Sequence, residues 1–255
     1  MEPFFDAYLT APEDSPGGAP PLPEGFSGAL LFGPAAKAIR EEFRRWHPDR
    51  RWVHAERLER IVGESNARFP SRAAQVIDLD MQGEELADWL KRPSEWWPLC
   101  ETLRGTRRLL RLRLPPGTAA VAKAKQLIRR FPETRFWIDP FVAGPVNGWQ
   151  GHVRLAEYNS VMLTTLGLFP GEPSSWSEAN AREALRFVVG EVGAGTLLFA
   201  SGMEWGAAGA EEARRRRQWL ETSPELDAEA RRLVLEENAQ ARLIPPEQES
   251  QVDSD

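Results

Sequence analysis

Residues 161–163 read Val-Met-Leu and residues 197–199 read Leu-Leu-Phe, and neither run alternates apolar with polar side chains. Unbroken apolar runs are typical of strands buried on both faces, as in a parallel sheet covered by helices. Outward from these two runs, the same reasoning predicts eight strands along the chain. They are residues 4–10, 28–32, 51–55, 74–80, 109–114, 135–142, 160–166 and 196–201.

Segments with helical periodicity separate most of these strands. They are residues 35–46, 84–90, 119–131, 177–189 and 227–243. Ser177 and Asp227 are predicted N-caps, because each precedes an amphipathic stretch with a side chain that accepts hydrogen bonds. Alternation of strand and helix predicts a parallel α/β fold. Eight strands in 255 residues favour a single (β/α)8 barrel of the TIM-barrel type.

The chain is predicted to form one domain over residues 1–244. Residues 11–25 are rich in proline and glycine, so they are either disordered or a loop over a site. Residues 245–255 are acidic and lack apolar periodicity, which predicts a disordered tail.

Charge and composition exclude several classes of protein. A net charge of −6 argues against a nucleic-acid surface, and the basic run Arg214–Arg217 is predicted to be a solvated helix face. The single cysteine, Cys100, excludes an internal disulfide and is predicted to be a buried structural thiol. No apolar run approaches the roughly 18 residues of a membrane span. The first residues lack the pattern of a signal peptide, so we expect a soluble, cytoplasmic protein without membrane contact.

Six short passages, in order along the chain, resemble the amidohydrolase-related family of TIM-barrel hydrolases. They are residues 5–10 (Phe-Asp-Ala-Tyr-Leu-Thr), 66–72, 131–139 (Phe-Pro-Glu-Thr-Arg-Phe-Trp-Ile-Asp), 160–167, 196–201 and 235–239, the last followed by Arg242 and Leu243. The resemblance implies hydrolase chemistry at a divalent metal, which lowers the pKa of bound water at the C-terminal mouth of the barrel.

The family's metal ligands are missing from the matching positions. The two histidines of the first strand correspond to Tyr8 and Thr10, the histidine after Asp139 to Pro140, and the final aspartate to Gly202. The strand at 109–114 offers arginines where a histidine ligand is expected. The resemblance therefore implies a family member whose metal site is degenerate.

The three histidines do not rebuild that site. His47 and His54 are seven residues apart, too far to share one zinc ion without a sharp chain reversal. His152 stands alone and is interpreted as a capping or packing group. The sequence predicts no metal and no cofactor.

Polar side chains are predicted at the ends of two neighbouring strands. Asp78 and Asp80 share one face of the fourth strand, and Arg111 and Arg113 share one face of the fifth. Neighbouring strands lie roughly 4.8 Å apart, so an inward Asp can meet an inward Arg. Two interpretations stay open: a pocket for a small anionic or polar ligand, in which Tyr8 also takes part, or a buried layer of ion pairs that fills the barrel.

Asp139 and Glu204 lie at strand ends, where TIM barrels place catalytic groups. If both point inward, they are the best candidates for a carboxylate pair that does acid–base chemistry without a metal. The loop after Asp139 contributes Asn147 and Trp149, which either line a ligand pocket or belong to a turn that plugs the barrel. Trp137, in mid-strand, is predicted to be core.

Three functions are compatible with these residues. The first is a barrel with a degenerate metal site that binds a ligand without metal or serves as a partner subunit in a homo- or hetero-oligomer. The alternative is an active hydrolase or decarboxylase that acts on a small polar substrate. Its rearranged carboxylate site would consist of Asp6, Asp80, Asp139 and Glu204, which could hold Mg²⁺ or Mn²⁺. The third is a purely structural interaction protein.

Overall fold

The computed structural model describes residues 4–10, 22, 25–32, 36–47, 49–58, 75–79, 83–145, 148–171, 176–204 and 207–244. Its strands are β1 (Phe4–Thr10), β2 (Phe26–Phe32), β3 (Arg51–Leu58), β4 (Val76–Leu79), β5 (Leu109–Leu112), β6 (Arg135–Ile138), β7 (Val161–Thr164), β8 (Leu197–Leu198) and β9 (Met203–Glu204). Each of the eight predicted strands overlaps one of the strands β1 to β8, although the predicted strand at 135–142 extends four residues beyond β6. The short strand β9 was not predicted.

The strands form one parallel barrel. Their order is β8-β7-β6-β5-β4-β3-β2-β1-β9, so consecutive strands pair from β1 to β8. β8 and β9 are the two ends of a single extended segment, in which β8 pairs with β7 and β9 pairs with β1. Between them, the Ala7 amide donates to the Phe199 carbonyl at 2.7 Å and the Gly202 amide donates to the Tyr8 carbonyl at 3.0 Å. These bonds close the sheet through an interrupted eighth strand.

Helices surround the barrel. They are α1 (Ala36–Trp46), α2 (Gly83–Leu90), α3 (Pro93–Leu103), α4 (Thr118–Arg130), α5 (Trp149–Val153), α6 (Glu178–Glu191), α7 (Ala207–Glu221), α8 (Ala228–Arg232) and α9 (Asn238–Leu243), with a π-helical segment joining α8 to α9. Both predicted N-caps are confirmed: Ser177 accepts a hydrogen bond from the Asn180 amide, and Asp227 from the Ala230 amide. No helix in the described ranges is long and apolar enough to cross a membrane.

Two apolar layers stabilise this arrangement. The larger layer lies between the sheet and the helices, where side chains such as Phe43, Leu127 and Leu185 are buried. The smaller layer fills the barrel interior and includes Trp137, which is fully buried as predicted. Ala239 and Leu243 of α9 belong to the interior layer, so the C-terminal helix covers the end of the barrel at which the strands begin.

The prediction that the basic run Arg214–Arg217 faces solvent is correct for its first two residues and wrong for its last two. Arg214 and Arg215 are exposed and pair with Glu211 and Glu212 one turn earlier. The next two arginines are buried: Arg216 donates to the Ser201 carbonyl, and Arg217 lies over the Phe4 ring at 4.7 Å. Four consecutive residues span more than one helical turn, so a run of this length on a packed helix has to place some members inward.

Candidate functional site

Three neighbouring strands bring charged side chains together inside the barrel, near the mouth where the strands end. Asp78 of β4 is the register partner of Arg111 of β5, and Arg111 is the partner of Trp137 of β6. Arg113 lies two residues after Arg111, and Asp139 two residues after Trp137. Because side chains alternate along a strand, these residues share the inward face.

Arg111 is the centre of a buried ion-pair network. Its Nε donates to Asp139 Oδ2 at 2.7 Å and its Nη2 lies 2.5 Å from the same oxygen, while its Nη1 is 3.5 Å from Asp78 Oδ2. Arg113 Nη2 also donates to Asp78 Oδ2. Burial opposes the charge on Arg111, but Asp139 and Asp78 outweigh this effect and raise the pKa of the guanidinium. The sequence-based expectation that an inward Asp meets an inward Arg is therefore confirmed.

Asp139 is fixed on its other side by two neutral donors. Trp137 Nε1 donates to Asp139 Oδ1 at 2.6 Å, and Thr164 Oγ1 donates to the same oxygen at 2.5 Å. With both oxygens bonded, Asp139 is held in one orientation as an acceptor. The role of Thr164 is absent from the sequence-based prediction, although its position at the inward end of β7, two residues after Met162, is the signal that points to it.

Aromatic rings complete the cluster. The Tyr8 ring stacks on the Phe32 ring at a centroid distance of 4.2 Å. The Arg111 guanidinium carbon lies 4.6 Å from the Tyr8 centroid and 5.0 Å from the Phe32 centroid. Cation–π contacts of this kind stabilise a desolvated guanidinium. We call Tyr8, Phe32, Asp78, Arg111, Arg113 and Asp139 the mouth cluster.

Arg113 is the charged member of the mouth cluster that reaches solvent. Its side chain is 27% exposed, against 3% for Arg111 and 6% for Asp78. Arg113 Nε and Asp78 Oδ1 are buried and have no hydrogen-bond partner within the described part of the chain. A buried donor and a buried acceptor without partners each carry a desolvation penalty of about 1–3 kcal/mol, which a bound polar molecule would relieve.

Asp6 lies at the closure of the barrel, where it contacts the backbone of Tyr8. Its Oδ1 accepts from the Ser201 amide at 2.9 Å and from the Tyr8 amide at 3.0 Å, and its Oδ2 accepts from Ser201 Oγ. Burial raises the pKa of the Asp6 carboxyl from its ordinary value of 3.8 to about 6, against the lowering effect of these hydrogen bonds. The carboxyl ties β1 to the eighth strand and orients the backbone of Tyr8.

The pKa of Asp6 predicts a pH-dependent stability. Since its folded-state pKa is raised, the stabilisation from protonation is full below pH 3.8 and is lost as the pH rises through about 6. Asp6→Asn removes this titration. The unfolding free energy of Asp6→Asn minus that of the wild type should therefore increase by roughly 2–3 kcal/mol between pH 4 and pH 7, as measured by urea denaturation. The exposed carboxyl variant Glu183→Gln is the control; a difference for Asp6→Asn that stays constant would contradict the prediction.

The other predicted residues lie elsewhere or outside the described residues. Trp149 is buried in an aromatic group outside the barrel, with ring centroids 6.0, 5.5 and 5.1 Å from those of Phe141, Trp176 and Phe187. The structure thus places it apart from the mouth cluster. Asp80 and Asn147 lie outside the described residues. The backbone of Glu204 pairs with Thr10, and its side chain is not among those described.

His152 is a buried packing residue, as the sequence predicts. Its Nε2 lies 3.2 Å from the Pro115 carbonyl oxygen, and burial lowers the pKa of the imidazole. Cys100 is also buried as predicted, and burial raises the pKa of its thiol to about 12. Among the described residues, no three His, Cys, Asp or Glu side chains gather closely enough to hold a metal ion.

Comparison with known proteins shows the fold. No protein-family model matches the chain, and no curated protein matches its sequence. A probable 2-pyrone-4,6-dicarboxylic acid hydrolase from Acinetobacter baumannii, crystallised with citric acid bound, is similar with a TM-score of 0.63 and 14% identity, over 94% of this chain and 98% of that one. Amidohydrolase 2 from Bifidobacterium longum subsp. infantis is similar with a TM-score of 0.60 and 15% sequence identity, over 95% of this chain and 99% of that one. A 2,6-dihydroxybenzoate decarboxylase from Rhizobium is similar with a TM-score of 0.55 and 12% sequence identity, over 95% of this chain and 99% of that one.

These similarities and the barrel topology define the chain as a TIM-barrel protein with an α/β fold in a single domain. The shared fold covers nearly the whole length of each of these chains. Fold alone does not assign an activity, which has to be argued from the site.

Proposed function

We propose that this chain is a divergent relative of the amidohydrolase-related TIM-barrel proteins whose metal site is degenerate, and that it binds a small polar or anionic ligand at the barrel mouth without metal. The single observation that carries this proposal is the position of Arg111, whose buried guanidinium lies between the carboxylates of Asp139 and Asp78. The order of family-like passages in the sequence and the fold shared with amidohydrolase 2 support the relationship.

The described side chains at the mouth do not fit a divalent metal. The carboxylates of Asp78 and Asp139 already form ion pairs with the Arg111 guanidinium. A divalent metal ion beside Arg111 would be repelled by its positive charge, and the buried interior would screen that repulsion only weakly. Tyr8 occupies the position of one expected histidine, and its ring faces the Arg111 guanidinium. At the position of another, Pro140 offers no side-chain donor. No chemical step of the proposed function therefore runs through a metal.

The class of ligand is inferred from the net charge of the mouth cluster and from its two buried atoms without a hydrogen-bond partner among the described residues. The charges of the mouth cluster balance, because Arg111 and Arg113 oppose Asp78 and Asp139. Arg113 Nε offers a donor and Asp78 Oδ1 an acceptor. A small molecule that carries both a carboxylate and a hydroxyl or amide group satisfies both atoms, and Arg113 is accessible enough to be its first contact.

Titration with citrate tests the proposal, since citric acid carries carboxylates and a hydroxyl and is the molecule bound in the Acinetobacter structure. Untagged protein, stripped by chelation and checked for metal by mass spectrometry, should bind citrate in calorimetry. Arg113→Gln should weaken binding by about tenfold to a hundredfold, because it removes a charge-assisted hydrogen bond.

The exposed variant Arg154→Gln, on the outer surface, is the matched control and should bind like the wild type. Stoichiometric metal whose removal abolishes binding would contradict the proposal and favour an active metal-dependent hydrolase or decarboxylase. Equal affinities of the Arg113→Gln variant and the wild type would place the ligand elsewhere.

A further inference from the structure

Three arginines lie at the end of the barrel opposite the mouth cluster, where the strands begin. Arg107 precedes β5, Arg135 is the first residue of β6, and Arg242 lies on α9. In the described part of the chain, none of the three is paired with a carboxylate. We call these residues the floor arginines.

The fold brings the floor arginines together from distant parts of the sequence. Arg135 is the register partner of Leu109, which places the beginnings of β5 and β6 side by side. Leu109 also belongs to the interior apolar layer with Ala239 and Leu243 of α9. Because α9 packs against this end of the barrel, it carries Arg242 over the strand beginnings.

Their charges act on one another. Burial, then Arg242, then Arg107 lower the pKa of the Arg135 guanidinium, and no carboxylate among the described residues opposes them. Glu133, the acidic residue nearest to Arg135 in the sequence, forms its ion pair with Arg104 at 2.5 Å. The floor arginines thus form a concentration of positive charge on a chain whose net charge is −6.

Arg135 also has an unused hydrogen-bond donor. Its Nη1 is buried and has no partner in the described residues. Leaving a buried charged donor without an acceptor is unfavourable, and the repulsion of Arg135 by Arg242 and Arg107 adds to that penalty. An oxyanion placed among them would satisfy the donor and neutralise the charge, and guanidinium groups match the geometry of phosphate and carboxylate oxygens.

We propose that Arg107, Arg135 and Arg242 form an oxyanion-binding site on the strand-beginning end of the barrel, independent of the ligand site at the mouth. The anion is a phosphate or carboxylate group. It has two sources: a free small molecule, or the carboxylates of Glu247, Glu249, Asp253 and Asp255, which follow Arg242 closely in this chain. A tethered carboxylate competes at high effective concentration, so the two sources are experimentally distinct.

Calorimetric titration of the full chain with inorganic phosphate, at constant ionic strength in chloride, tests the site. A second protein, with Glu247→Gln, Glu249→Gln, Asp253→Asn and Asp255→Asn together, is titrated in parallel. Equal affinity of the two proteins supports a free anion as the ligand. At least tenfold tighter binding by the neutralised protein supports the chain's own carboxylates as the ligand. Absence of phosphate binding by both proteins overturns the proposal.

Single substitutions locate the binding. Arg135→Gln and Arg242→Gln should each weaken phosphate binding at least tenfold in whichever protein binds it. Arg214→Gln, which removes one positive charge from the exposed face of α7, should leave the affinity unchanged. Binding that survives both floor substitutions also overturns the proposal. Should Arg135→Gln fail to fold by circular dichroism, Arg242→Gln and Arg107→Gln carry the same comparison, because neither arginine lies within a strand.

Discussion

Asp139→Ala should lower the free energy of unfolding by about 3–5 kcal/mol, because it leaves Arg111 buried without its principal counter-charge. The Arg111 side chain is only 3% exposed, so water cannot replace the lost carboxylate without rearrangement of the barrel. The same change removes the acceptor of Trp137 Nε1 and of Thr164 Oγ1. Urea denaturation followed by circular dichroism measures the loss.

Two further variants isolate the ion pair as the cause. Glu133→Ala removes the carboxylate of an exposed pair with Arg104 and should leave the unfolding curve nearly unchanged, since water screens such pairs. The double variant Arg111→Met with Asp139→Asn should recover at least half of the loss, because no guanidinium then lies buried without Asp139. A double variant that is less stable than Asp139→Ala would contradict this explanation.

Trp137→Ala should also destabilise the fold by about 3–5 kcal/mol, through the cavity it leaves in the barrel interior. The indole is fully buried, lies edge-to-face with Phe32 at 5.8 Å, and donates to Asp139. Its removal thus loosens both the apolar layer and the base of the mouth cluster. The measurement is the urea midpoint together with the near-ultraviolet circular dichroism of the remaining aromatic residues.

A second substitution at Trp137 separates the contribution of its ring volume to stability from that of its hydrogen bond. Trp137→Phe keeps most of the ring volume and loses the N–H donor, so we expect a smaller loss of about 1–2 kcal/mol. Trp97→Ala is the control, because this indole is 37% exposed on α3 and its loss should be less than half that of Trp137→Ala. Equal losses at the two tryptophans would show that the barrel interior relaxes around the cavity.

Much of the mouth cluster could be predicted from local pattern. Alternation along a strand places Asp78 on one face of β4 and Arg111 and Arg113 on one face of β5, and the order of parallel strands makes β4 and β5 neighbours. The contact between these charges follows from those two facts. The stacking of Tyr8 on Phe32 does not, because β1 shifts register between Asp6 and Leu9 and the shift sets which side chains face inward.

The positions of other residues could not be predicted from the local sequence pattern. Trp149 was a candidate for the mouth because it follows a strand, yet α5 directs it into an aromatic group outside the barrel. Arg216 and Arg217 were expected in solvent and are buried, because α7 packs against the closure of the barrel. In both cases the position depends on how a helix sits on the sheet, which periodicity alone does not specify.

The sequence by itself determined the order of the eight strands and of five helical segments, the caps of two helices and the inward faces of β4 and β5, because each is set by residues within a few positions of one another. Only the tertiary structure decided how the barrel closes and which charges become buried. Asp6 meets Ser201 across 195 residues of chain, and Arg242 lowers the pKa of Arg135 only because α9 returns to the end at which the strands begin. Contacts of that separation depend on the packing of the complete barrel, since burial and electrostatics are properties of the assembled interior.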